Sequence, residues 1–565
     1  MALGPAYNLA VMSRIRHTAS VRPRHVAATA LLLVVTAVLA WPTVSIWGAW
    51  LGWNPAQADL LAQMLSTVLP DYAWTSLLVC LGVAVGVVVL GAGSALLVTM
   101  YRFPGRRWLE WALLLPLAMP AYVVAYAYTD FLQFSGPLQV ALRQALGWQG
   151  ALWPDVRSVW GAVLVFSVTL YPYVYLLVRT ALSEQAAHLL DAARLLGASH
   201  WRQIRTVALP MARPAMAAGT ALALMETLAD YGVSSYFGIQ TFTAGIYKAW
   251  LAMDMPLVAG QLATVLLAVV VVLLHLEKRA QSRMRYASAR ASRPRPAAAT
   301  AAPPRGHYFF LALGLLPVLL GFVLPSLILL HSWLADPLPV QWERFVGWGL
   351  NSLRLASITA VLAVALALLL AARNRLAASV WSRLFSRIIG LGYAIPGAVV
   401  VVGILLPMSL LQGQGWPVSM TWLVTGTSAG LVWAYLVRFS SVAMQSVDSG
   451  YSRIPSAFDE SSRTLGVTGW RLLQGVHWPL LRRSTLAAVL LVFVDVMKEL
   501  PATLVLRPFN SDTLAVVAYQ LARDERLGEA ALPALALVLV GLIPVLLLHR
   551  GMQTDDADRP GLGLP

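Results

Sequence analysis

The sequence predicts an all-α polytopic membrane protein built as two six-helix repeats. Three observations carry the prediction: about twelve apolar runs of membrane-spanning length, basic residues gathered on alternate loops, and a loop pattern that recurs after 269 residues. Of the 565 residues, 59% are hydrophobic and only 12% charged, and the mean hydropathy is +0.69. That composition excludes the soluble globular classes.

A helix rises about 1.5 Å per residue, so about 20 apolar residues cross the hydrocarbon core of a bilayer. Such runs lie near residues 26–47, 75–99, 110–130, 158–178, 214–231 and 257–275. A second set lies near 308–331, 350–371, 388–410, 421–437, 484–499 and 531–549. The first run follows the basic stretch Arg14 to Arg24, but it is long and lacks a convincing small-residue cleavage site. It reads as a retained helix, not a signal peptide.

The net charge of +16 is explained by topology and needs no nucleic-acid partner. With a cytoplasmic N-terminus, the first half places twenty Lys and Arg inside against three outside, Arg143, Arg157 and Lys248. The second half keeps the same phase, least well in the 500–530 stretch, so both termini are expected in the cytoplasm. Residues 281–306, rich in Arg, Ala, Pro and Ser, have the composition of a flexible cytoplasmic linker. The chain thus divides into a cytoplasmic segment 1–25, a first half 26–280, the linker, a second half 307–550 and a cytoplasmic tail 551–565.

The halves look like repeats. Ser76 and Ser352 open corresponding runs, and Pro120 and Pro396 stand at the same 276-residue offset, each able to kink its span. Gly82 and Gly86 have the spacing that permits close helix contact. The single cysteine, Cys80, can form no internal disulfide and reads as a packing residue.

The strongest signal is the repeated loop. DAARLLGASHWRQIRTVALP (191–210) and ESSRTLGVTGWRLLQGVHWP (460–479) align without a gap. Each reads as a short helix, a break at Gly197 or Gly466, and a second amphipathic helix stopped by Pro210 or Pro479. Leu189 and Leu196, like Phe458 and Leu465, are seven residues apart and share a face. Two short helices at a fixed angle, flanked by arginines, form a protrusion suited to a partner's cleft. A plain connector has no need to repeat one register.

This pattern resembles the EAA motif of ABC importer permeases. Asp191, Ala192, Ala193, Gly197 and Pro210 keep the family's shape, with Asp in place of Glu. The second copy keeps Glu460, Gly466 and Pro479 and has Ser461 and Ser462 for the alanines. The resemblance implies the type I ABC importer permease fold in a bacterial inner membrane, bathed in lipid. It also implies that these residues dock two copies of an ATP-binding subunit, and that a periplasmic binding protein delivers substrate from the other side. Three further segments, LYPYVYLLVRTAL, ADYGVSSYFGIQTFTAGIYKAW and MKELPATLVLRPFNSDTLA, are similar to the fused permeases of siderophore-independent ferric iron importers. That similarity implies ferric iron as substrate, although permeases for thiamine, polyamines and phosphonates share much of the architecture.

None of the three lysines, Lys248, Lys278 and Lys498, follows a glycine, so the chain has no phosphate-cradling GxxxxGK[ST] loop. ATP and Mg are expected on the partner ATPase, with no cofactor on this chain. The nine histidines show no metal-ligand spacing, and His188 and His477 read as ordinary loop residues. Glu226 and Asp230 share a helix face, as do Asp495 and Glu499 at the 269-residue offset. Acids in spans face a cavity, a pathway or one another. With Tyr231 they are candidate transient oxygen ligands for a hard trivalent cation, without a stable metal site. The alternatives are an outer gate closed by hydrogen bonds, and a neighbouring acid neutralised by Lys498. An ion-coupled secondary transporter would share the two six-helix halves and the acids, but has no use for the doubled loop. A membrane enzyme finds no nucleophile and base at diagnostic spacing.

Overall fold

The computed structural model describes residues 23–51, 59, 62–64, 66–184, 187–288, 300–301, 306–336, 339–376, 379–412 and 418–557. Nearly all of the N-terminal segment, most of the linker, the end of the tail and the side chain of His188 lie outside the described residues.

Each apolar run falls largely on helix. The first half contains α1 (Pro23–Ser45), α2 (Leu69–Met100), α3 (Ala121–Leu132), α4 (Val159–Glu184), α5 (Leu209–Ala229) and α6 (Pro256–Ser288). The second contains α7 (His307–Val318), α8 (Trp342–Leu376), α9 (Gly397–Gln412), α10 (Ser428–Ser452), α11 (Trp478–Lys498) and α12 (Leu527–Ala557). Among the described residues, eight helices are long and apolar enough to cross a membrane, or ten if two bent pairs each count as one span. The expected twelve exceeds this because α10 carries Arg438 among its serines, while α11 carries Arg482, Arg483, Asp495 and Lys498.

The bent pairs hinge on the paired prolines. The chain turns by 91° at Pro120 and by 112° at Pro396. A 3-10 turn, Leu115–Ala118 or Gly392–Ala394, precedes each proline. Proline lacks an N–H and pushes the residue before it out of the α region. The expected kink is therefore a complete break.

A second pair of breaks ends α5 and α11, where Asp230 (ψ 127°) and Glu499 (ψ 123°) leave the helical conformation. Short buried helices follow, Gly232–Tyr236 and Phe242–Tyr247 in one half, Pro501–Leu506 and Leu514–Arg523 in the other. The repeat extends to single bonds here. Ser76 Oγ accepts the Phe242 N–H at 3.1 Å and Ser352 Oγ accepts the Leu514 N–H at 2.9 Å. Thr241 and Thr513 cap the same two helices.

Small residues let the helices close up, which matters where lipid tails are as apolar as leucine. On α2, a Cβ at Gly82 would come within 2.7 Å of Val163, and one at Gly86 within 2.0 Å of Ser167 Oγ, both on α4. The first helix of each half also reaches into the other. α1 packs on α9, where Gly403 lies against the Pro42 carbonyl, and the continuation of α7 packs on α3 and α12.

Candidate functional site

Both repeated loops fold as helix, glycine, helix. The first comprises Ala187–Leu195, Gly197 at φ +74° and His200–Gln203. The second comprises Ser456–Thr464, Gly466 at φ +76° and Trp470–Leu472. The prolines do not stop the second helix, contrary to expectation. Instead π turns at Ile204–Ala208 and Leu473–His477 run directly into α5 and α11. A proline ring would clash with the carbonyl four residues earlier, and the wider turn relieves this at Pro210 and Pro479. One continuous helix, His200–Ala229, therefore joins the first loop to Asp230.

The loops present apolar side chains outward: Leu195, Leu196 and Leu465 are 91%, 87% and 81% exposed, with Trp201 and Trp470 beside them. Asp191, Ala192, Glu460 and Ser461 are exposed, Ala193 is half-buried, and Ser462 turns inward to donate to the Phe458 carbonyl at 2.7 Å. Asp191 meets Arg194 at 3.7 Å. Gly466→Val would place a β-branched residue in the left-handed region, at a cost of about 1–2 kcal/mol or more. We expect it to abolish stimulation of ATP hydrolysis by loaded binding protein in reconstituted vesicles; wild-type stimulation would show that the loop geometry is dispensable.

His477 is no ordinary loop residue. It is buried, with Nε2 2.7 Å from Asp459 Oδ1, and Arg375 Nε donates to Asp459 Oδ2 at 2.6 Å. Burial pushes the Asp459 carboxyl up, but the hydrogen bonds from His477 and Arg375 and their charges outweigh it and hold it below the usual carboxylate range. Its stabilising contribution is thus present above the unfolded value of about 3.9 and is lost as pH falls through the lower folded value.

The acids of α5 and α11 converge on one cavity of about 190 Å³. Glu226, Asp230, Asp495, Lys498 and Glu499 all line it, together with the proline-bent segment from Pro116 to Tyr122. Tyr231 lies outside it, buried against Tyr247 at a ring separation of 4.2 Å. Sequence reasoning missed Tyr122, Tyr173, Tyr393 and Arg438, which also line the cavity. Only Arg438 left a signal, as a charge among apolar residues that calls for a partner.

The lining groups differ in how firmly they are held. Glu499 accepts from Arg438 Nη1 at 2.9 Å, from the Ala502 and Thr503 N–H groups at 2.9 and 3.0 Å, and from Thr503 Oγ1 at 2.6 Å. Asp230, its counterpart, accepts the Val233 N–H at 2.7 Å. Lys498 donates to the Leu117 carbonyl at 2.9 Å, bracing the 3-10 turn before Pro120. Glu226 and Asp495 lie close to the phenols of Tyr173 and Tyr393. Among the described residues no three His, Cys, Asp or Glu side chains form a metal-ion site.

The family described as binding-protein-dependent transport system inner membrane component matches residues 87–277 and, again, 363–553. The chain belongs to this family. The two matches begin and end 276 residues apart, the offset of Pro120 and Pro396. The permease is therefore a multi-pass transport subunit of an ABC importer, not an enzyme, and its family works with an ATPase and a substrate-binding protein. It is similar to the Fe(3+)-transport system permease protein FbpB 2 of Haemophilus influenzae, at 24% identity over 506 residues, 88% of this chain and 90% of that protein. It is also similar to the molybdenum transport system permease protein ModB of Escherichia coli, at 32% identity over 30% of this permease and 74% of ModB. The sulfate transport system permease protein CysT of Escherichia coli is 28% identical over 34% of this permease and 70% of CysT.

Proposed function

We propose that this permease forms the whole membrane channel of a ferric iron importer of a bacterial inner membrane. Two copies of an ATP-binding subunit dock on the repeated loops at the cytoplasmic side, where both termini also lie. A periplasmic binding protein delivers iron to the opposite side.

The observation that carries the iron reading is the likeness to the Fe(3+) permease, which runs through both halves; the molybdenum and sulfate relatives are shorter proteins, covered to 74% and 70% of their own length, and align with about a third of this chain. The cavity chemistry supports it. Four carboxylates face two cationic side chains there, and Arg438 is already spent on Glu499. Carboxylate and phenol oxygens suit a hard trivalent cation, while an oxyanion would meet an excess of like charge. ATP-driven closure of the ATPases would move the loops, and the continuous helices would carry that movement to the breaks at Asp230 and Glu499.

The test is reconstitution with the cognate binding protein and ATPase. ATP-dependent accumulation of labelled ferric iron is expected, with labelled molybdate, sulfate, thiamine and polyamine at background. Accumulation of one of these with iron at background would replace the cargo and leave the ABC role standing.

A further inference from the structure

The two docking loops are anchored by different chemistry. In the second, Asp459 is 5% and His477 1% exposed. Arg375, from the end of α8, donates to Asp459 through Nε at 2.6 Å and to the Ile454 carbonyl through Nη2 at 2.8 Å. His477, from the π turn that feeds α11, lies 2.7 Å from the other carboxylate oxygen, and Tyr451 OH of α10 lies 3.3 Å from His477 Nδ1. Two membrane helices, α8 and α11, thus reach the docking helix at one carboxylate, and α10 touches the His477 ring behind it.

The first half fills the same place with hydrocarbon. At the 269-residue offset, Tyr451, Asp459 and His477 face Leu182, Leu190 and Ala208, which are 1%, 1% and 0% exposed. At the 276-residue offset Arg375 faces Thr99, which bonds only within its own helix, to Ala95 and Leu96. The fold therefore does not require the ion network. Apolar contact is non-directional and tolerates sliding, whereas charge-assisted hydrogen bonds fix distance and angle together.

We propose that Asp459 is a positioning residue: gripped by Arg375 and His477, it makes the second docking loop rigid with α8 and α11. ATPase movement is then transmitted chiefly through the second half of the permease. This rests on the reading of the repeated loops as ATPase docking elements.

The test exchanges the anchor for the first half's own solution. Asp459→Leu, His477→Ala and Arg375→Thr are introduced together, and the permease is reconstituted with its ATPase subunit and binding protein. The ATPase subunit is expected to co-purify at the wild-type ratio with unchanged basal hydrolysis, while substrate imported per ATP falls about five-fold or more. His477→Gln alone, which keeps an N–H donor toward Asp459, is expected to retain most of the coupling. Wild-type import per ATP in the triple variant would overturn the proposal, and so would loss of co-purifying ATPase, which would make the network a folding element. Leu465→Asp, on the exposed face, is the separate control: undiminished ATPase association in that variant would refute the docking reading itself.

Discussion

Glu499→Gln is expected to destabilise the permease by about 3–5 kcal/mol and to leave little folded protein in the membrane. The carboxylate is 1% exposed and its partner Arg438 8%. Neutralising it leaves a buried guanidinium without its bonded counter-charge. The same substitution removes an acceptor from the N-terminus of Pro501–Leu506, where Glu499 now receives two backbone N–H bonds. Asp230→Asn should cost far less, about 1 kcal/mol, because the Val233 N–H is held by an oxygen that asparagine also supplies. Yield of monodisperse protein and its thermal midpoint in detergent measure the difference. Replacing Glu499 and Arg438 together by methionine should recover much of the loss, since a well-packed apolar pair avoids the desolvation that an orphaned charge suffers. A wild-type midpoint for Glu499→Gln would show that the pair contributes nothing to the fold.

That asymmetry between equivalent acids marks the boundary of what the sequence could disclose. Asp230 and Glu499 are legible as a pair because the 269-residue register places them together, and so are the loops and the two bending prolines. Their partners are not legible. Arg438 comes from α10 and Tyr393 from the turn before Pro396, and only the packing of several helices brings them to Glu499 and Glu226. The proline that was expected to stop a helix does not, because a π turn absorbs the clash, and nothing in the local residue pattern announces such a turn. Read alone, the residues around His477 carry no sign of its partners. Comparison of the repeats holds the missing signal, since buried Leu190 and Ala208 are replaced by two ionisable residues 18 positions apart.

The largest effect on transport is expected from Glu226→Gln combined with Asp495→Asn. These two acids stand one turn before the breaks in α5 and α11, on the same cavity, and neither caps the helix that follows. Lys498 sits on the same wall with its ammonium directed to the Leu117 carbonyl. The formal charge of the lining side chains is −2, and the double substitution takes it to 0. At an effective dielectric constant of about 20, one unit charge about 4 Å from another is worth about 4 kcal/mol, and a trivalent ion multiplies that figure. With ferric iron as the proposed cargo, losing two such charges should lower the initial rate of labelled iron uptake by about 100-fold or more, even after protein relaxation absorbs much of the difference. ATP hydrolysis stimulated by loaded binding protein should persist, because neither residue belongs to the repeated loops on which the ATPase is proposed to dock. Glu226→Asp, which keeps the charge and shortens the reach, should retain a larger share of uptake than Glu226→Gln. If the double variant folds normally and imports iron at the wild-type rate, the acids serve only to shape the cavity, and the proposed cation path does not depend on them.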